Sequence, residues 1–172
     1  MPLRNIEFEI NNYYHIYNRG FNKNIIFKND KDFKQFIKTI VRYNIIFTGI
    51  KIISFSILPN HFHIILISLD KKSDISEFIG KIQQSYVMYF RSKYKDNYIK
   101  IKGEGFFEGN FKVKHINSQK YLEQCISYVV YNSVHHKVVK NITDYKWTSY
   151  HQLKNKDKLN NYKNLILDEL EI

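Results

Sequence analysis

The sequence holds one cysteine, two prolines and six glycines among its 172 residues. A lone Cys125 excludes an intrachain disulfide framework and suits a reducing compartment. No stretch rich in Pro, Gly or Ser divides the chain, and no internal repeat is visible. No uncharged apolar run approaches the length of a membrane span. The opening MPLRNIEFEI lacks the apolar centre of a secretory signal. These absences lead to the expectation of a cytoplasmic protein with no membrane partner, built as one domain over residues 1–172 with 151–172 as a peripheral tail.

Acidic residues are also scarce, 16 against 27 Lys and Arg, for a net charge of +11. Such an excess suits a polyanionic partner. Neither end carries a strongly amphipathic basic helix, so nucleic acid is favoured over a membrane surface. The 14 Tyr and 13 Phe fit single-stranded nucleic acid, on whose bases aromatic rings stack. Most of those rings are nevertheless expected in the core, which the 44% hydrophobic content is large enough to build.

Periodicity supplies the elements. YYHIYNRG (13–20) reads as a strand closed by Gly20, expected in a turn at positive φ. NDKDFKQFIKTIVRYN (29–44) is helical, capped by Asn or Asp, with Phe33, Phe36, Ile37, Ile40 and Val41 on one stripe. GIKIISFSIL (49–58), the turn Pro59-Asn60 and HFHIILISL (61–69) form a hairpin. Residues 73–95 are a helix capped by Ser73 or Asp74. GEGFFEGNFKVKHI (103–116) is a loop entering a strand, and 118–139 is one helix capped by Ser118. Strand, helix, strand, strand, helix, strand, helix implies an α+β fold, with helices packed on an antiparallel sheet.

The chemistry begins at PNHFHIIL (59–66). On a strand, His61 and His63 point to one face and Phe62 to the other. Two imidazoles supply at most two ligands, and either could simply bond a carbonyl or face solvent. A catalytic metal needs a further protein ligand and an open position. Asn132 could offer its amide oxygen. Mixed imidazole and oxygen ligation suits Mn²⁺, and Mg²⁺ where phosphate oxygens complete the shell. Tyr128 lies four residues before Asn132, on the same helix face as Tyr121 and Cys125. By spacing alone Tyr128 competes as a nucleophile with Tyr86, Tyr89 and Tyr131.

With these residues assembled, the chain resembles the HUH single-tyrosine transposases, most closely the REP-associated tyrosine transposase branch. ILPNHFHIIL looks like the family's metal-binding hairpin, and YHIYNRG like its opening strand. GEGFFEGNFKVKHI resembles its glycine, aromatic and basic segment. YVVYNSVHHKVV resembles its nucleophile helix, and YKWTSY its aromatic-serine motif. The ordered set spans roughly residues 13 to 150 and is more specific than any one motif. Three positions depart from the pattern. Ser133 stands where Pro is usual, Lys137 where Gly or a small residue is common, and Asn110 where a basic residue is frequent.

The resemblance implies a ferredoxin-like or RNA-recognition-like fold. It also implies a divalent metal, Mg²⁺ or Mn²⁺, held by His61, His63 and Asn132, with Tyr128 as nucleophile. The implied substrate is single-stranded DNA folded into imperfect hairpins, cleaved and rejoined through a 5′-phosphotyrosine. Arg19, Lys112 and Lys114 are the candidates for phosphate contacts, with Phe106 or Phe107 for base stacking. Alternatives stay open at this point: a domesticated relative that binds hairpins without cutting, a replication or conjugative nuclease of the wider HUH group, or a metal-dependent hydrolase with no covalent step. Monomeric action and a homodimer exchanging its tyrosine helix both stay open too.

Overall fold

The computed structural model describes residues 7–71, 74–94 and 105–154. The expected tail beyond 154, the alternative cap Ser73 and the start of the 103–116 segment lie outside the described residues. The described elements are β1 (Tyr13–Arg19), α1 (Asp30–Ile46), β2 (Ile50–Leu58), β3 (His61–Ser68), α2 (Ile75–Lys93), β4 (Lys112–Ile116), α3 (Gln119–Val130), α4 (Asn132–His135) and α5 (Tyr150–Lys154). The four strands form one antiparallel sheet in the order β2-β3-β1-β4. This is the α+β arrangement expected from the element order and the ferredoxin-like topology implied by the resemblance, with β3 inserted between β1 and β2.

Alternation along the strands gives the sheet two different faces. Ile16, Phe62, Ile64, Leu66, Phe55 and Ile57 point to the side covered by α1 and α2. That side is the larger core. Phe62 is fully buried there, its ring tilted against Phe36, and its removal to Ala would cost about 3–5 kcal/mol. The opposite face carries His15, Tyr17, His61, His63 and Ile65. Only part of it is covered, by α3 through Leu122, Cys125, Ile126, Val129 and Val130. The histidines stand beside that cover, His15 and His63 buried and His61 half-buried.

Local signals set the helix ends. Asn29 and Asp32 form a reciprocal capping box at the start of α1. Asp74 caps α2 through the amides of Ser76 and Glu77, and Ser118 caps α3 through the amide of Tyr121. Asp32 does more than cap. Its buried carboxylate accepts from Lys93, Tyr89 and Tyr94, tying the start of α1 to the end of α2.

Two expectations need correction. Gly20 has φ −61°, not a positive value; a Cβ there would lie 2.3 Å from the carbonyl oxygen of Asn24, so close approach is what requires glycine. The positive φ values of this turn fall instead on Asn22 and Lys23. The helix expected over 118–139 is interrupted at Tyr131 (φ −85°, ψ 9°) and continues as the single turn α4. It then closes in a Schellman motif: Val138 donates to the Ser133 carbonyl and Lys137 to that of Val134. Lys137 occupies the left-handed position of that motif, at φ 56°.

Candidate active site

The pairing register assembles the site. On the partly covered face, Lys112, Tyr17, His63 and Ser56 form one rung across the four strands. Lys114, His15, Ile65 and Ser54 form the next, and Arg19 opposes His61 at the end. His15 is therefore a diagonal neighbour of His63, close enough for side-chain contact. Its Nε2 lies 2.8 Å from Nδ1 of His63.

The segment around YKWTSY positions the helix over these strands. Thr148 Oγ1 donates to the carbonyl of Val130, at the end of α3, and approaches the carbonyl of Phe55 on β2. Ser149 hydrogen-bonds Ser54 and the backbone of Phe55. Helix-terminal carbonyls lack intrahelical partners. Thr148 thus satisfies one of them while fixing the point from which Asn132 departs.

Asn132 is fully buried, and its Oδ1 lies 3.0 Å from Nε2 of His61. On its other nitrogen, His61 meets Oδ1 of Asn60 at 2.6 Å. The Asn60 amide is oriented by a bond from its Nδ2 to the carbonyl of Lys23. Asn60 Oδ1 can only accept, so Nδ1 of His61 carries the proton. A neutral His61 then turns the lone pair of Nε2 toward the oxygen of Asn132. Two acceptors face one another, and Nδ2 of Asn132 is buried without a hydrogen bond. Two arrangements resolve this: rotation of the Asn132 amide, or a cation shared by Nε2 and Oδ1. Mixed imidazole and amide-oxygen donors fit Mn²⁺, and Mg²⁺ where phosphate oxygens complete the shell. No group of three His, Cys, Asp or Glu side chains with metal-binding geometry occurs among the described residues. A site here must count the Asn oxygen.

Burial favours the neutral form of His15, His61 and His63. Burial pushes the pKa of His61 down to about 4, with His136 and Arg19 adding to the shift against the opposing Asn132 bond. Burial, then the nearby Lys114, brings His15 down to about 4. His63 lies well below the ordinary histidine value, chiefly through burial and then through the adjacent imidazoles and Lys114. Neutral imidazole is the form that binds metal.

Tyr128 is on the same face. Its ring centroid stands 5.8 Å from that of His63 and 6.3 Å from that of His15, and the side chain is 44% exposed. Its competitors are occupied elsewhere. Tyr86 is buried, donating to the carbonyl of Ile26, and Tyr89 bonds Asp32. Tyr131 packs beside Tyr150. Two cavities flank the Tyr17–His63 rung. One of about 390 Å³ is lined by Arg19, Lys23, His61, Lys112 and His136. The other, about 350 Å³, is lined by Lys114, Tyr121, Gln124, Cys125 and Tyr128.

The candidates for nucleic-acid contact divide. Lys112 and Lys114 are exposed at the two cavities. Arg19 lines the first cavity but is engaged in a bidentate ion pair with Glu108. The stacking expectation for Phe106 and Phe107 is corrected. Phe107 is buried edge-on to Phe62, and Phe106 packs among Tyr86, Phe90 and Phe107. The rings lining the cavities are Tyr17, Tyr121 and Tyr128 instead. Sequence reasoning missed His15, Asn60, His136 and Thr148. The available signal for His15 was its two-residue spacing from Tyr13 and Tyr17, which puts the three rings on one face of a strand.

Comparison with known proteins agrees with this architecture. The family model for IS200-like transposases matches residues 9–132. Among solved structures, a REP-associated tyrosine transposase bound to a REP hairpin superposes with a TM-score of 0.73 at 15% identity, covering 91% of this chain and 87% of that one. A putative transposase from Deinococcus radiodurans R1 gives a TM-score of 0.50 at 12% identity, covering 75% and 95%. Among curated proteins, no sequence matches the chain. The chain belongs to the IS200-like transposase family.

Proposed function

We propose that this transposase cleaves and rejoins single-stranded DNA, at hairpins, with Tyr128 as nucleophile and a divalent metal held by His61, His63 and Asn132. One observation carries the reading. The Tyr128 ring stands 5.8 Å from His63, on the face where His61 Nε2 and Asn132 Oδ1 converge within 3.0 Å. Nucleophile and cation site meet within one chain, which favours action in cis. The hairpin assignment rests on the hairpin-bound neighbour of the same fold.

The chain's own residues divide the work. Tyr128 presents its phenol at the mouth of one cavity; the oxygen–phosphorus bond forms there while the bond from phosphorus to the 3′-oxygen breaks. The phenol proton leaves to solvent or a neighbouring base, and the departing 3′-oxygen takes one up. The product is a 5′-phosphotyrosine, whose bond energy is retained for rejoining. Lys112 and Lys114 hold the phosphates on either side, while Tyr17 and Tyr121 offer faces to bases. The metal, when bound, polarises a non-bridging phosphate oxygen. The Arg19–Glu108 pair opens or is retained according to whether a phosphate displaces the carboxylate.

Incubation with a labelled hairpin oligonucleotide and Mn²⁺, followed by a denaturing gel, tests the reading. It predicts an SDS-resistant protein–DNA band that EDTA prevents. Retarded DNA in a native gel with no such band would identify a binder that does not cut.

A further inference from the structure

The two imidazoles of the HFH motif are each held at Nδ1 by a residue that lies outside the motif's own pair. For His61 the holder is Asn60, at 2.6 Å. For His63 it is His15, reached across the β1–β3 ladder at 2.8 Å. In water, neutral imidazole favours the proton on Nε2, which would blind the nitrogen that faces Asn132. The geometry points to His15 and Asn60 as paired positioning residues. Each accepts from Nδ1–H, fixing both histidines in the tautomer whose Nε2 lone pairs are free for one cation. This inference deepens the metal reading above.

His15 is the stronger case. It is 5% exposed, in a strand whose neighbours Tyr14 and Ile16 are core residues. A buried polar group is costly unless partnered, and His63 is the partner at hydrogen-bond distance. If His63 donates from Nδ1, then His15 accepts at Nε2 and carries its own proton on Nδ1. The opposite arrangement, with His15 donating, would place the His63 proton on Nε2 and close that nitrogen to metal. The ring planes of His15 and His63 lie at 33°, with centroids 5.0 Å apart, so the contact is made through ring edges. Tyr17 stacks on His63 at 5.5 Å and limits its rotation. Partners of this kind, outside the ligand set, typically contribute 10–100-fold to metal affinity.

The test reads the tautomer directly in metal-free protein. Long-range ¹H–¹⁵N correlation on histidine-labelled protein above pH 7 should show the proton on Nδ1 in both His61 and His63. In His15→Leu, His63 should shift toward the Nε2–H form while His61 stays. In Asn60→Ala the two should exchange behaviour. Mn²⁺ titration followed by EPR, with no DNA present, should show affinity about 10–100-fold weaker in either variant. His15→Gln keeps an acceptor at the position and should retain more affinity than His15→Leu. Should the leucine variant unfold, His15→Gln and Asn60→Ala still decide the question. A wild-type His63 protonated on Nε2, or unchanged Mn²⁺ affinity in a folded His15→Leu protein, would overturn the inference. Expected tautomers in a wild-type protein that binds no Mn²⁺ would leave the positioning intact and defeat the metal reading alone.

Discussion

Asn132 brings its side-chain oxygen to 3.0 Å from Nε2 of His61, across 71 residues of sequence. Neither atom can donate once Asn60 holds the His61 proton at Nδ1. The contact joins a sheet strand to the turn that follows α3, and a buried amide nitrogen beside it has no partner. Rotation of the amide, or a cation bound between Nε2 and Oδ1, would relieve the contact.

Thr148 links the same turn to the sheet. Thr148→Val keeps the shape and removes the donor to the Val130 carbonyl. The variant should lose about 1–2 kcal/mol of stability, measured by urea unfolding. It should also bind Mn²⁺ more weakly, because Asn132 loses its anchor. Unchanged stability and unchanged affinity would show that the bond positions nothing.

Acid should destabilise the metal-free protein before its carboxylates titrate. Unfolded histidines take up protons near pH 6.5, whereas His15 and His61 do so only near pH 4 in the folded protein. Between those values the unfolded chain binds more protons, so stability falls as pH is lowered through the window and is fully present above it. For buried His15 alone the difference is worth about 3 kcal/mol. Urea midpoints at pH 7 and pH 4.5 check this; equal midpoints would contradict it.

The departures Ser133 and Lys137 leave visible costs. Ser133 is fully buried with its hydroxyl unpaired. Lys137 holds φ 56° at the helix end, a conformation costing an L-residue about 1–2 kcal/mol. Glycine tolerates that φ but loses more backbone entropy on folding. Ser133→Ala combined with Lys137→Gly should stabilise the protein by about 1–2 kcal/mol. A lower unfolding midpoint would contradict the strain argument.

Much of this was legible in the sequence because it depends on short-range periodicity. The alternation of His61, Phe62 and His63 predicts two faces, and the structure has them. Four-residue spacing brings Tyr128 and Asn132 near one another; although the helix breaks between them at Tyr131, both reach the histidines. The partnership of His15 with His63 was not legible. It depends on the register between β1 and β3, strands 48 residues apart at that contact, which no local pattern encodes. Phe106 and Phe107 were misread for a related reason: ring chemistry suits both a core and a base, and only tertiary packing separates them. The break at Tyr131 likewise has no Gly or Pro to announce it; Thr148, 18 residues on, bonds the Val130 carbonyl there.

The most direct test of the account is adduct formation by Tyr128→Phe beside Tyr131→Phe, each incubated with hairpin DNA and Mn²⁺ and resolved under denaturing conditions. The account predicts that the first variant binds the hairpin but gives no covalent band, while the second still forms one. A covalent band from Tyr128→Phe would contradict it.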